Sequence, residues 1–193
     1  MKIHHLIIDD NNINEIIDKY DGISYFNNKL IFDNKYCHIN HLRISLSELK
    51  ELEIKDNYLI TLYVNDCINL EKVNCSENQL IELKINNCNK LYFLLCGSNN
   101  LNELNINHLT NLKIIACNNN KLNKLDTSNL NKISCLWCRN NNIDLIDLSN
   151  TNILPKYIER YSIMKDNNTK LIINEFLNKE EIIKNLNNYI IKN

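Results

Sequence analysis

Residues 91–101 read LYFLLCGSNNL, and 21 residues further along, residues 112–122 read LKIIACNNNKL. Laid over one another, the two stretches keep an apolar residue at the first and fourth positions, Cys at the sixth, Asn at the ninth and Leu at the eleventh. In residues this is Leu91, Leu94, Cys96, Asn99, Leu101 and then Leu112, Ile115, Cys117, Asn120, Leu122. Working outward, the same frame holds at Leu70, Val73, Cys75, Asn78, Leu80 and at Ile133, Leu136, Cys138, Asn141, Ile143. A fifth copy upstream has Ile54 in the cysteine column: Leu49, Leu52, Ile54, Asn57, Leu59. A short unit repeated at a fixed period cannot bury its apolar side alone and must stack on its neighbours, so the chain is predicted to be a repeat solenoid.

Each unit has two arms. The LxxLx(C/I) pattern of Leu70, Val73, Cys75 returns as Leu80, Leu83, Ile85 within the same unit. Apolar fourth and sixth positions flanking a variable fifth are the period-2 signature of a short strand with one buried face. Stacking then sets the strands of successive units side by side and parallel. The filled column Asn57, Asn78, Asn99, Asn120, Asn141 is expected to be structural. An amide offers both donor and acceptor to backbone groups where the chain leaves the strand. Cys75, Cys96, Cys117 and Cys138 stand where Leu or Ile would serve, so they read as small buried hydrophobes rather than a disulfide framework. Neighbours in such a column sit about 4.8 Å apart with parallel side chains, wider than the Cβ spacing of a disulfide, about 3.8 Å.

The quoted segments resemble the LxxLxLxxNxL motif of leucine-rich-repeat proteins. The 21-residue period with a nested second half, as in residues 122–127 (LNKLDT) or 143–150 (IDLIDLSN), is similar to the nested short class found in bacteria and large DNA viruses. The likeness spans residues 49–153 and departs from the pattern in its cysteine column and at Thr127, where an apolar residue is expected. It implies a parallel-stranded coil that binds other proteins. Around it, residues 1–48 are expected to form a cap, with a short helix through Ile13, Ile16, Ile17 and Tyr20 and a hairpin across 23–32. Ile39, Leu42 and Ile44 already echo the half-unit. Residues 154–193 are expected to close the other end: Leu154 and Tyr157 start a sixth unit that Pro155 interrupts. From Lys170, the spacing of Ile172, Phe176, Ile183, Leu186 and Ile190 predicts an amphipathic helical cap.

Composition narrows the function. A net charge of −1 with scattered lysines gives no basic face for nucleic acid or an anionic membrane. The apolar run Leu6, Ile7, Ile8 is too short for a signal-peptide core, and no long apolar stretch exists. The expectation is an intracellular, cytoplasmic protein without cofactor, in which the sequons at Asn74 and Asn167 go unused. Phosphate-loop, dinucleotide, zinc-protease and nucleophile-elbow motifs are all absent, so the reading is non-enzymatic. Cys135 and Cys138 form a CxxC, but strand alternation sends their sulfurs to opposite faces. Cys37, His38 and His41, with His4 or His5 as a further ligand, are the one cluster whose residue types suit zinc, and would make the protein a metal-dependent effector.

The two arms differ on their outward positions. In the first arm these read Glu51 and Glu53, Lys72 and Asn74, Phe93 and Leu95, Ile114 and Ala116, Cys135 and Trp137. The face turns from polar to apolar along the stack. In the second arm, Thr61 and Tyr63, Glu82 and Lys84, Glu103 and Asn105, Lys124 and Asp126, Leu145 and Asp147 describe a mainly solvated face. The function expected is protein binding through Phe93, Leu95, Ile114, Ala116, Cys135 and Trp137. Self-association through the same face, making a homodimer, and burial of the face by the segment from Leu154 onward are the competing readings.

Overall fold

The structure is a computed structural model that describes residues 2–33, 38–151, 163–165, 168–174 and 189–192. In chain order the elements are β1 (Lys2–Asp9), α1 (Ile13–Lys19), β2 (Ile23–Phe26), β3 (Lys29–Phe32), β4 (His38–Ser45), β5 (Glu51–Glu53), β6 (Thr61–Asn65), β7 (Lys72–Asn74) and β8 (Glu82–Asn86). They continue with β9 (Phe93–Leu95), β10 (Ile114–Ala116), β11 (Cys135–Trp137), β12 (Leu145–Asp147), β13 (Ile163–Met164), β14 (Lys170–Asn174) and β15 (Tyr189–Lys192).

The first arms stack into one sheet, in the order β13-β11-β10-β9-β7-β5-β3-β2, with every pairing parallel except the β2–β3 hairpin. Its register is the repeat register: Val73 faces Leu94, Leu94 faces Ile115, and Ile115 faces Leu136. The second arms make a sheet of β1-β4-β6-β8 and, further along, one of β12-β14-β15. Between the arms lies one continuous core. Leu70, Val73, Leu91, Leu94, Leu112, Ile115 and Leu136 are all fully buried in it, as are Cys75, Cys96 and Cys117.

The Asn column holds the turns. Asn99 Nδ2 donates to the carbonyl of Cys96 in its own coil (3.0 Å) and of Cys75 in the coil before (3.1 Å), while Asn99 Oδ1 accepts from Leu80 N–H (2.9 Å). Asn78, Asn120 and Asn141 repeat this bridge: each amide joins two coils and takes one N–H from the preceding turn. The residue before each Asn is left-handed, with φ of 55° at Asp56, 56° at Glu77, 56° at Ser98, 54° at Asn119 and 56° at Asn140. That conformation ends each first-arm strand after three residues and swings the chain toward the second arm. Thr127, the departure in the apolar column, is buried, and its hydroxyl donates to the Asp147 carbonyl.

Residues 1–48 do more than cover the end. α1 and the β2–β3 hairpin stand at the expected places, the latter turning through Asn27 and Asn28 at φ 50° and 61°, the two-residue loop whose twist suits a hairpin. Yet β1 pairs with β4 and β3 with β5, so this segment supplies strands to both sheets. Ile3, Leu6 and Ile8 are themselves an LxxLxI half-unit, and Leu6 and Ile8 are buried. At the rim, Asn12 Nδ2 donates to Ile7 O (3.0 Å) and its Oδ1 accepts from Asp9 N–H (2.9 Å), so a side-chain amide satisfies backbone groups of β1.

The other end corrects the sequence reading. Ile163 takes the place beside Leu136, so the sixth first-arm strand comes after an insertion rather than at Tyr157. Lys170–Asn174, expected to begin a helix, is β14 paired with β12, and Tyr189–Lys192 is β15 paired with β14. β-branched isoleucines at Ile172, Ile173, Ile190 and Ile191 suit strands, and an existing sheet edge supplies a partner that helical spacing alone does not consider. Residues 152–162 and 175–188, with the remainder of the expected helix, lie outside the described residues.

Candidate interaction face

Parallel pairing puts the outward side chains of the first arm into two rows. One runs Lys29, Glu51, Lys72, Phe93, Ile114, Cys135, and the other Ile31, Glu53, Asn74, Leu95, Ala116, Trp137. The polar end neutralises itself. Glu51 lies 2.6 Å from Lys72 and 3.5 Å from Lys29, and the hydrogen bond from Lys72 is the chief cause holding its carboxyl below the usual range. Asn74 Nδ2 donates to Glu53 Oε1 at 2.7 Å.

Beyond Lys72 the rows turn apolar. Phe93, Leu95, Ile114, Cys135 and Trp137 are half-buried on one face, each flanked by the next strand's residue. Ala116 departs from the expectation of an exposed contact. It is 5% exposed, because its methyl is short and lies between Leu95 and Trp137 on the neighbouring strands. Trp137 pairs across to Met164, so it stands inside the sheet and not at its edge. Burial pushes the Cys135 thiol up, and Cys138 is buried in the core column, which puts the members of the CxxC in different surroundings. Desolvation pushes the Cys75 thiol up to about 12 and those of Cys96 and Cys117 well above the ordinary value, so the column is neutral packing material at physiological pH.

Of the suggested zinc ligands, the structure brings His5 and His41 side by side and places His38 apart from them. The His38 ring packs on Tyr58, His41 stacks on His5, and Cys37 lies outside the described residues. Among the described residues no group of three or more His, Cys, Asp or Glu is arranged to hold a metal ion, and no helix is long and apolar enough to cross a membrane.

Two features of the second arm were not foreseen. Its sheet is interrupted between β8 and β12, where residues 103–105 and 124–126 form no strand and His108 Nε2 lies 2.7 Å from the Ile85 carbonyl oxygen. The gap is a cleft of about 490 Å³ lined by Glu103, Asn107, His108, Lys124 and Asp126 among others. At the N-terminal end the face carries a cluster of His5, His41, Arg43 and Tyr63. Tyr63, at the fifth position of its arm where later coils carry Lys84 and Asn105, was the available signal.

Parallel coils in a 21-residue register, joined by an asparagine ladder behind a leucine core, settle the architecture. The chain is a parallel-stranded solenoid of 21-residue coils. No protein-family model matches it, and no curated protein does. Among solved structures, one described as the functional domain of InlJ from Listeria monocytogenes, including a cysteine ladder, is similar at 22% identity and a TM-score of 0.45. That match covers 68% of this chain and 36% of the other, so this chain spans about a third of that structure's length.

Proposed function

We propose that the chain is a non-catalytic protein-interaction module that holds a partner against the first-arm face, with Phe93, Leu95, Ile114 and Trp137 as the anchors. The observation that carries this is the run of half-buried apolar side chains in register on three adjacent strands, beside a polar end where Glu51 pairs with Lys29 and Lys72 and Glu53 accepts from Asn74. Tryptophan and other large apolar side chains on a flat sheet supply contact area at little entropic cost. Three strands about 4.8 Å apart give a patch of a few hundred Å². A stable interface needs about 800 Å² from each side, so the patch is the centre of a larger contact rather than a complete homodimer seam. A reducing, intracellular setting belongs to the same proposal, since it keeps the column thiols as the apolar groups they are.

The test is comparative capture. The parent chain, Ile114→Arg, and the second-arm control Lys124→Ala are immobilised at equal density and exposed to the same extract. A protein retained by the parent and the control but lost on Ile114→Arg is then purified, and its affinity measured against Trp137→Ala. A loss of tenfold or more, about 1.4 kcal/mol, is expected. Identical retention by the parent and Ile114→Arg would refute the proposal.

A further inference from the structure

The second-arm face carries a hollow of its own, independent of the first-arm reading. Its volume is about 420 Å³, and it is lined by His5, Leu6, Ile7, His41, Leu42, Arg43, Thr61 and Tyr63. Strand pairing explains the gathering: His5, His41 and Thr61 form one row across β1, β4 and β6, and Ile7, Arg43 and Tyr63 form the next.

The polar groups of the hollow are positioned by one another. The rings of His5 and His41 stack with centroids 4.5 Å apart and planes 15° from parallel. His41 Nδ1 is 2.9 Å from Thr61 Oγ1. When the threonine hydroxyl donates to Nδ1, the imidazole carries its proton on Nε2, as a donor for a ligand. The Arg43 guanidinium lies over the Tyr63 ring, 5.5 Å from its centroid. Stacking of this kind holds the planar fork in place while its N–H edges stay open.

The charges are unbalanced in one direction. Glu82, the carboxylate next along the row, is taken by Lys84 at 2.5 Å and by the Tyr63 hydroxyl. Lys84 is thereby neutralised, and among the described residues no carboxylate forms an ion pair with Arg43. One uncompensated guanidinium, two imidazoles and the 56% exposed Ile7 at the rim remain. We propose that this hollow binds a carboxylate carried on an extended peptide segment of a partner protein, with the guanidinium of Arg43 gripping the anion, His41 donating to it, and Ile7 packing on the adjoining side chain. A single fixed positive charge matches a monoanion, where a phosphate dianion needs further cations.

The probes are N-acetyl-Val-Glu-Val-amide, its Glu→Gln counterpart and inorganic phosphate, each titrated into the full chain while the Arg43 Nε–H and His41 ring resonances are followed by NMR. The Glu peptide is expected to give saturable shifts at both groups, with an affinity at least tenfold above that of the Gln peptide. Arg43→Gln should abolish the difference, and Arg43→Lys, which keeps the charge and loses the fork, should retain only part of it. Arg43 is exposed, so an unchanged amide spectrum elsewhere certifies the fold of both variants. Equal binding of the two peptides, full discrimination retained in Arg43→Gln, or phosphate binding more tightly than the Glu peptide would each overturn the proposal.

Discussion

Replacing Asn99 with Ala removes one rung from a ladder whose rungs share acceptors, and the consequences can be worked out group by group. Asn99 Oδ1 is the acceptor for Leu80 N–H, inside a turn that excludes water. Losing it leaves a buried donor unmet, which costs about 1–3 kcal/mol. The carbonyls fare better. Cys75 O keeps its bond from Asn78 Nδ2 (3.1 Å) and Cys96 O keeps that from Asn120 Nδ2 (3.0 Å). Their loss is a net bond each, about 1 kcal/mol apiece. Asn99→Ala should therefore destabilise by about 3–5 kcal/mol, lowering Tm by roughly 6–20 °C for a chain of this size. Asn57 provides the internal control. Its amide donates to Lys55 O at 2.9 Å and only weakly to Phe32 O at 3.5 Å, and its Oδ1 has no partner among the described residues. Asn57→Ala orphans no N–H and should cost only about 1 kcal/mol. The sharing also predicts coupling. In Asn78→Ala with Asn99→Ala, Cys75 O loses both amides, so the double variant should fall below the sum of the singles by about 1 kcal/mol. Urea unfolding followed by circular dichroism, with unchanged m-values as the condition, reads all four. Equal losses at Asn57 and Asn99, or strict additivity of the double variant, would refute the shared-ladder reasoning.

Three further outcomes follow from the same geometry. Leu94 is fully buried between coils, and Leu94→Asp should abolish cooperative folding or cost at least about 4 kcal/mol, since it strands a charge in the core; a parent-like melt would contradict the register. Glu77 holds φ at 56° in the column where Asn119 and Asn140 sit at 54° and 56°, so Glu77→Asn should raise Tm by a degree or two, about 0.5 kcal/mol, and a fall would show that the turn tolerates glutamate without strain. The thiols of Cys75, Cys96 and Cys117 are raised by burial above the unfolded value of about 8.5, so the unfolded chain sheds their protons first. Their stabilisation is complete below that pH and is lost as pH climbs toward the folded values, by about 1.4 kcal/mol per pH unit for each thiol. Urea midpoints at pH 7, 9 and 10 should fall accordingly, less so in a Cys75→Ala, Cys96→Ala, Cys117→Ala variant; parallel profiles for the two chains would overturn the assignment.

The solenoid was legible because its determinants are local and repeated. The apolar frame of Leu91, Leu94 and Cys96 returns every 21 residues, and strand register follows from it. The ends were less legible for a physical reason: a single copy of a pattern competes poorly with other periods. Ile3, Leu6 and Ile8 look like a brief apolar run until β4 supplies a partner. Ile172 and Ile190 fit a helical face on spacing, yet the sheet edge at β12 draws Lys170–Asn174 into a strand. On the candidate face, outwardness was read correctly from alternation for Phe93, Leu95, Ile114, Cys135 and Trp137. The burial of Ala116 was not, since shading by neighbours depends on side-chain length across strands. Of the His5–His41–Arg43–Tyr63 cluster only Tyr63 stood inside the repeat frame, and spacing that treats residues 1–48 as a separate cap could not add the rest, because the cluster exists only once β1 and β4 are known to pair.

Trp137 is the chain's one tryptophan, so its fluorescence reports the first-arm face without interference. Acrylamide and iodide quenching of the intact chain should show a half-exposed indole that both quenchers reach, and the captured partner should protect it and shift its emission to the blue. A native indole already shielded from both quenchers, or one whose emission and quenching are unchanged when the partner is bound, would contradict the claim that this face is where the protein does its work.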